Sequence, residues 1–159
     1  MNLDYVMVDS GAQVCVCPDD YAPDIPLQRD EYDLPELRTV NGAPIKVYGH
    51  KFVDYDLETT TGGSLTITVK YYVTDCHLPV LSVGLTTSAG YEVHWTTSGA
   101  TFGLPNHKVQ LHNFDGLNYL VVDMSRRRRT LSAVLLRNPV TTLGRHMVIA
   151  VSKKSNKDY

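Results

Sequence analysis

Val6-Met7-Val8-Asp9-Ser10-Gly11-Ala12 is the stretch on which the reading turns. A short apolar run, Tyr5 to Val8, stops at Asp9-Ser10-Gly11. An apolar run of that length, ended by a turn signal, reads as a buried strand. A carboxylate therefore sits directly after a strand, with a hydroxyl beside it and glycine next. Two such carboxylates facing each other can share one proton, because like charges about 3 Å apart cannot both ionise. The ionised one deprotonates a water and the neutral one donates to a carbonyl under attack. Ser10 would brace the loop, and Gly11 would let a backbone approach closely. Taken alone, the same three residues also read as a turn or a helix cap, where Asp, Ser and Gly are all favoured.

Outward from this stretch the chain reads as short strands. Val14-Cys15-Val16-Cys17 is a second β-rich run, ended by Pro18. Residues 18–37 hold Pro18, Pro23, Pro26 and Pro35 among many acids, which excludes a long helix and predicts a loop. Asn41-Gly42 lies between alternating apolar residues, a strong hairpin signal because both residues tolerate positive φ. Gly62-Gly63 marks another reversal, after which Leu65-Thr66-Ile67-Thr68-Val69 alternates as a half-buried strand should. Leu78 to Val83 is apolar, Ser82 to Ala89 reads as a short helix, and Gly90 to Trp95 as a further strand. The expected fold is all-β: a small closed barrel or sandwich with one short helix.

Composition and charge bound the function. At 159 residues, 43% hydrophobic and 20% charged, the chain can build one core. Three cysteines are too few for a disulfide framework and point to a reducing compartment. No apolar run approaches the roughly 20 residues of a membrane span. Asp4 and Asp9 in the first apolar stretch do not fit a secretory signal peptide. The net charge of −2 hides an asymmetry. Residues 126–159 hold nine of the fifteen basic residues against Asp158 alone, a net +8, whereas residues 1–125 hold six basic and sixteen acidic residues, a net −10. An acidic folded body with a basic tail is the expectation.

Four stretches, in order, resemble the retropepsin-like aspartic proteases of copia-type retrotransposons, over about residues 4–103. Val8-Asp9-Ser10-Gly11-Ala12 is similar to the family's catalytic loop. Val40-Asn41-Gly42-Ala43-Pro44-Ile45-Lys46-Val47-Tyr48-Gly49 is similar to its flap hairpin. Val69-Lys70-Tyr71-Tyr72-Val73 with Leu78-Pro79-Val80-Leu81-Ser82-Val83 resembles the strands leading to the segment that packs beneath the catalytic loop. Ser82 stands there where many members have glycine. Gly90-Tyr91-Glu92-Val93-His94-Trp95 resembles the strand that follows. The resemblance implies a retropepsin-type domain at 1–103 and an extension at 104–125 towards the protease–integrase connecting segment; residues 126–159 match no part of the family and are read, from their charge alone, as a basic tail. It implies catalytic roles for Asp9, Ser10 and Gly11, and substrate contacts by Ala12, Asn41, Gly42, Ala43, Val80 and Leu81. The activity implied is hydrolysis of peptide bonds in the element's own polyprotein, in the cytoplasm or inside a virus-like particle, with no cofactor and no metal. The Asp-Ser-Gly motif occurs once in the chain, so the dyad requires a homodimer with one Asp9 from each copy. Eight residues precede Asp9, fewer than the family's lead-in, and the dimer is expected to be weak.

Other chemistries were weighed beside this one. Cys15, Cys17, Cys76 and His77 form a conceivable zinc set, though Cys-x-Cys is atypical of structural zinc and buried free thiols explain them more simply. A Cys–His hydrolase lacks a glycine-rich oxyanion segment. Arg126, Arg127, Arg128 and Arg129 are the candidates for a weak nucleic-acid contact, against the simpler reading of a solvated tail. The alternatives to a protease are thus a decayed retropepsin-like dimerisation module and a polyprotein fragment that binds nucleic acid through its tail.

Overall fold

The computed structural model describes residues 2–29, 34–126 and 148–149. It is all-β with one α-helix among the described residues. In chain order the elements are β1 (Leu3–Asp9), β2 (Val16–Pro18), β3 (Leu37–Arg38), β4 (Pro44–Ile45), β5 (Gly49–Glu58), β6 (Ser64–Thr74) and β7 (Val80–Ser82). Helix α1 (Val83–Ser88) follows, then β8 (Glu92–Thr96), β9 (Gly99–Leu104), β10 (His107–Gln110), β11 (His112–Phe114), β12 (Leu117–Asp123) and β13 (Val148–Ile149). The main sheet runs β11-β12-β1-β7-β2-β6-β13, with β5 paired to the other side of β6, and curls into a half-barrel, all-β as expected, the expectation being a closed barrel or a sandwich. Strands β8–β10 form a three-stranded sheet, and β3–β4 a two-stranded one.

Alternation explains β1. Val6 and Val8 point into the core, while Leu3 and Tyr5 face outward and are exposed. Tyr5, Phe114 and Tyr119 form an aromatic group on that outer face, with Tyr5 and Phe114 centroids 5.8 Å apart. On one side β1 runs parallel to β7, and on the other antiparallel to β12, from Leu3↔Asp123 to Val8↔Asn118. Residues 107–123, read from sequence as an extension, thus supply strands, one of which flanks β1.

The long hairpin β5–β6 carries the centre of the core. It pairs from Gly49↔Val73 to Glu58↔Ser64. Leu65, Ile67, Val69 and Tyr71 of β6 are buried with Val53, Tyr55 and Leu57 of β5. The alternation of β6 predicted one wet face, but Thr68 and Tyr72 are buried too. Thr68 is tolerated there because its hydroxyl donates to the buried Asp54 carboxylate at 2.6 Å. Three tyrosines thread the core through their hydroxyls, Tyr21 to Tyr55 and Tyr55 to Tyr71, each contact 2.7 Å. Residues 19–28 of the proline-rich loop are held to β5 by hydrogen bonds. Gln28 and His50 exchange backbone bonds of 2.9 and 2.8 Å. The buried Lys51 ammonium donates to the carbonyls of Asp19 and Tyr21.

Candidate active site

Asp9 is the last residue of β1, partly buried where the strand gives way to a turn. Its Oδ1 accepts the Gly11 N–H at 2.7 Å, so the carboxylate folds back over its own loop. Glycine suits this turn, because a Cβ at position 11 would lie 3.3 Å from that same oxygen. The chain then crosses to β2, where Val14, Cys15 and Cys17 are buried.

Strand β7 lies beside β1 in parallel register, Met7↔Val80, Val8↔Leu81 and Asp9↔Ser82. Two segments distant in sequence are thereby joined at the aspartate. Ser82, the last residue of β7, ties them together. Its hydroxyl donates to the Ala12 carbonyl at 2.7 Å and accepts the Leu85 N–H at 3.2 Å, capping α1. Its own N–H reaches the Cys15 sulfur at 3.3 Å. Ser10, expected to brace the loop, is exposed, and the hydroxyl that ties the loop down is that of Ser82. The sequence reading begins the helix at Ser82, whereas the helix starts at Val83 and Ser82 is its N-cap, a position that serine favours; its second partner, the Ala12 carbonyl, carries no local signal.

The predicted substrate residues divide. Ala12 is half-buried in the loop. Asn41, Gly42 and Ala43 lie on the β3–β4 hairpin as expected, with Val40 at its tip 85% exposed. The turn differs from the expected one. Thr39 C=O accepts the Gly42 N–H at 2.9 Å, Thr39 N–H bonds Ala43 C=O at 2.8 Å, and Gly42 alone takes positive φ, +85°. That is a three-residue loop with glycine in the left-handed position. The base of this hairpin packs on the aspartate side of the fold: Leu37, Ile45 and Val47 gather with Val14, Val16 and Tyr72 in one small cluster. Val80 lies on the Asp9 side of β7. Leu81 corrects the prediction: it pairs with Val8, points the opposite way, and is fully buried in the main core. It supports the loop from below and cannot touch a substrate.

The competing chemistries fare differently in the same region. Burial pushes the Cys15 and Cys17 thiols up to about 12, so neither is a ready thiolate for a metal or a nucleophilic attack. Burial also raises the half-buried Cys76 thiol. Among the described residues no three His, Cys, Asp or Glu side chains are gathered as metal ligands. No helix there is long and apolar enough to cross a membrane. A concavity of about 880 Å³, with Asp4, Asp20, Asp24, His77 and Met124 in its wall, includes none of the predicted site residues. The arginine run falls outside the described residues, except for the backbone of Arg126 in a 3-10 turn. A comparison of the chain with protein-family models, curated proteins and solved structures finds no match.

Proposed function

We propose that the chain is an aspartic endopeptidase of the retropepsin type, acting as a homodimer on an extended segment of its own retroelement polyprotein. One observation carries the reading. A single carboxylate, Asp9, ends a strand of the main sheet, is folded over a glycine turn by the 2.7 Å bond from Gly11, and is underpinned by a second, parallel strand. That is the half-site a shared-proton dyad requires.

A twofold axis beside Asp9 would bring the second carboxylate into place. The pair holds one proton. The ionised Asp9 takes a proton from water, the hydroxide adds to the scissile carbonyl, and the neutral Asp9 protonates the developing oxyanion. Collapse then transfers a proton to the leaving nitrogen and breaks the C–N bond. The β3–β4 hairpin, rooted next to the aspartate loop and exposed at its tip, suits the part of a flap that excludes water. The substrate would add to the site as a strand, with backbone bonds giving affinity and alternate side chains giving specificity. The setting this implies is the cytoplasm or a virus-like particle.

The test is cleavage of a peptide library over a range of protein concentrations, with and without a statine-type transition-state analogue. We expect cleavage that the analogue abolishes, a bell-shaped pH profile on the acid side of neutrality, and a rate rising faster than linearly with concentration. Cleavage blocked by thiol alkylation or a chelator, and indifferent to the analogue, would refute the assignment. Dimers that bind the analogue without cutting would identify a decayed binding module instead.

A further inference from the structure

We infer that Ser82 is a positioning residue for Asp9: its hydroxyl bolts the aspartate loop to the first turn of α1 and thereby fixes where the carboxylate points. The catalytic consequence rests on the reading above, but the tie itself does not.

Four hydrogen bonds meet at this one residue, which is fully buried. The hydroxyl joins the Ala12 carbonyl at 2.7 Å to the Leu85 N–H at 3.2 Å. The backbone N–H engages the Cys15 sulfur at 3.3 Å, and the backbone carbonyl accepts the Thr86 hydroxyl at 2.7 Å. Ala12 and Cys15 bracket the segment through which the chain leaves the aspartate turn and enters β2. Ser82 is also the register partner of Asp9. One side chain therefore clamps the loop from beneath while its backbone is paired beside that of Asp9.

The polar pattern has a single solution. A carbonyl cannot donate and an amide N–H cannot accept, so the hydroxyl proton must point at Ala12 and a lone pair at Leu85. A rotor with no alternative orientation holds both partners at once. Removing it leaves a part-buried loop carbonyl and a part-buried helix-terminal N–H without this partner. A glycine here would leave the loop held from this residue by backbone contacts alone. The adjoining Thr86 offers a contrast. It is equally buried and bonds the same turn of α1, but the bond goes to the Ser82 carbonyl and not to the loop.

The experiment compares Ser82→Ala, Ser82→Thr and Thr86→Val in the full chain. It reads amide hydrogen exchange over residues 10–15 together with kcat and KM for peptide cleavage. Ser82→Ala should speed exchange of the loop amides by about tenfold or more. It should lower kcat by roughly ten- to a hundredfold with KM within about twofold, since misplacing a reacting group by about 1 Å costs of that order. Ser82→Thr, which keeps the hydroxyl, should restore both readouts. Thr86→Val should lower stability but leave the loop exchange and kcat as in the wild type. Should Ser82→Ala not fold, Ser82→Cys serves the same comparison, being near in size with a weak donor. Unchanged loop exchange in the hydroxyl-less variant, or an equal loss of loop protection and kcat in Thr86→Val, would overturn the inference. A wild type that cleaves nothing would defeat the protease reading alone, since the exchange data decide the tie without it.

Discussion

Two hairpins follow one another in this chain, with the same turn and different arms. In the first, Thr39-Val40-Asn41-Gly42-Ala43, Thr39 C=O accepts the Gly42 N–H, Thr39 N–H bonds Ala43 C=O, and Gly42 takes φ +85°. In the second, Thr59-Thr60-Thr61-Gly62-Gly63, Thr59 bonds Gly62 and Gly63 in the same way and Gly62 takes φ +86°. The first has two residue pairs, Leu37↔Ile45 and Arg38↔Pro44, and an exposed tip. The second has ten pairs and holds the core. The turn decides where the chain reverses. The length and apolar face of the arms decide whether the reversal bears the stability of the fold or can move without disturbing it. Function should therefore reside in the short hairpin and the aspartate loop beside its base, and stability in the long one.

The sharpest consequence is that activity can be removed without touching the fold. Asp9→Asn is nearly isosteric and keeps a group able to accept the Gly11 N–H. It should reduce cleavage by roughly a thousandfold or more, as loss of the general acid and base requires, with the melting temperature essentially unchanged. Undiminished cleavage by purified Asp9→Asn would remove Asp9 from the mechanism. The converse is Ile67→Ala, at a fully buried position of the long hairpin. It should cost about 2–5 kcal/mol in denaturant unfolding. A cost below about 1 kcal/mol would show that the core is centred elsewhere.

Twin substitutions test the comparison directly. A Cβ at either glycine meets nothing within 4 Å, so the penalty common to both is that of the positive φ. Gly62→Val should destabilise the whole molecule by roughly 1–2 kcal/mol. Gly42→Val should strain only a two-pair hairpin, lowering kcat/KM several-fold with little change in global stability. Equal effects on unfolding from the two would erase the distinction.

A last consequence is at alkaline pH. The buried Cys15 and Cys17 thiols are raised from an ordinary value of 9.0 to about 12 by burial. Their neutral forms stabilise the folded state fully below about pH 9, and that contribution is lost as pH rises from there towards about 12. Unfolding midpoints should decline through this window, and the decline should lessen in Cys17→Ala. Alkylation under native conditions should reach the half-buried Cys76 before Cys15 or Cys17.

Much of this was legible in the sequence, and the misses have physical causes. The strand ending at Asp9, the reversals at Gly42 and Gly62, and a short helix within 82–89 all follow from local chemistry, chiefly short apolar runs and glycine. What stayed hidden is pairing between distant segments. Nothing local in Leu117–Asp123 says that it will lie antiparallel to β1, although Asp115-Gly116, both at positive φ, is the two-residue hairpin signal that joins β11 to β12. The resemblance implies a substrate contact at Leu81, and the sequence alone does not say which face of a three-residue strand meets the core. The face was settled by its register with Val8. The burial of Thr68 was equally unreadable, since it depends on the Asp54 carboxylate of the neighbouring strand.

The central claim is that one active site takes an Asp9 from each of two chains. Mixing tests it most directly: the Asp9→Asn chain is added in increasing excess to a fixed amount of wild type, and the initial rate of peptide cleavage is followed. The inactive chain should draw wild-type subunits into mixed dimers holding one aspartate, so the rate should fall towards zero as the excess grows. A rate that stays constant across the titration, with sedimentation showing that the two chains do associate, would contradict the account.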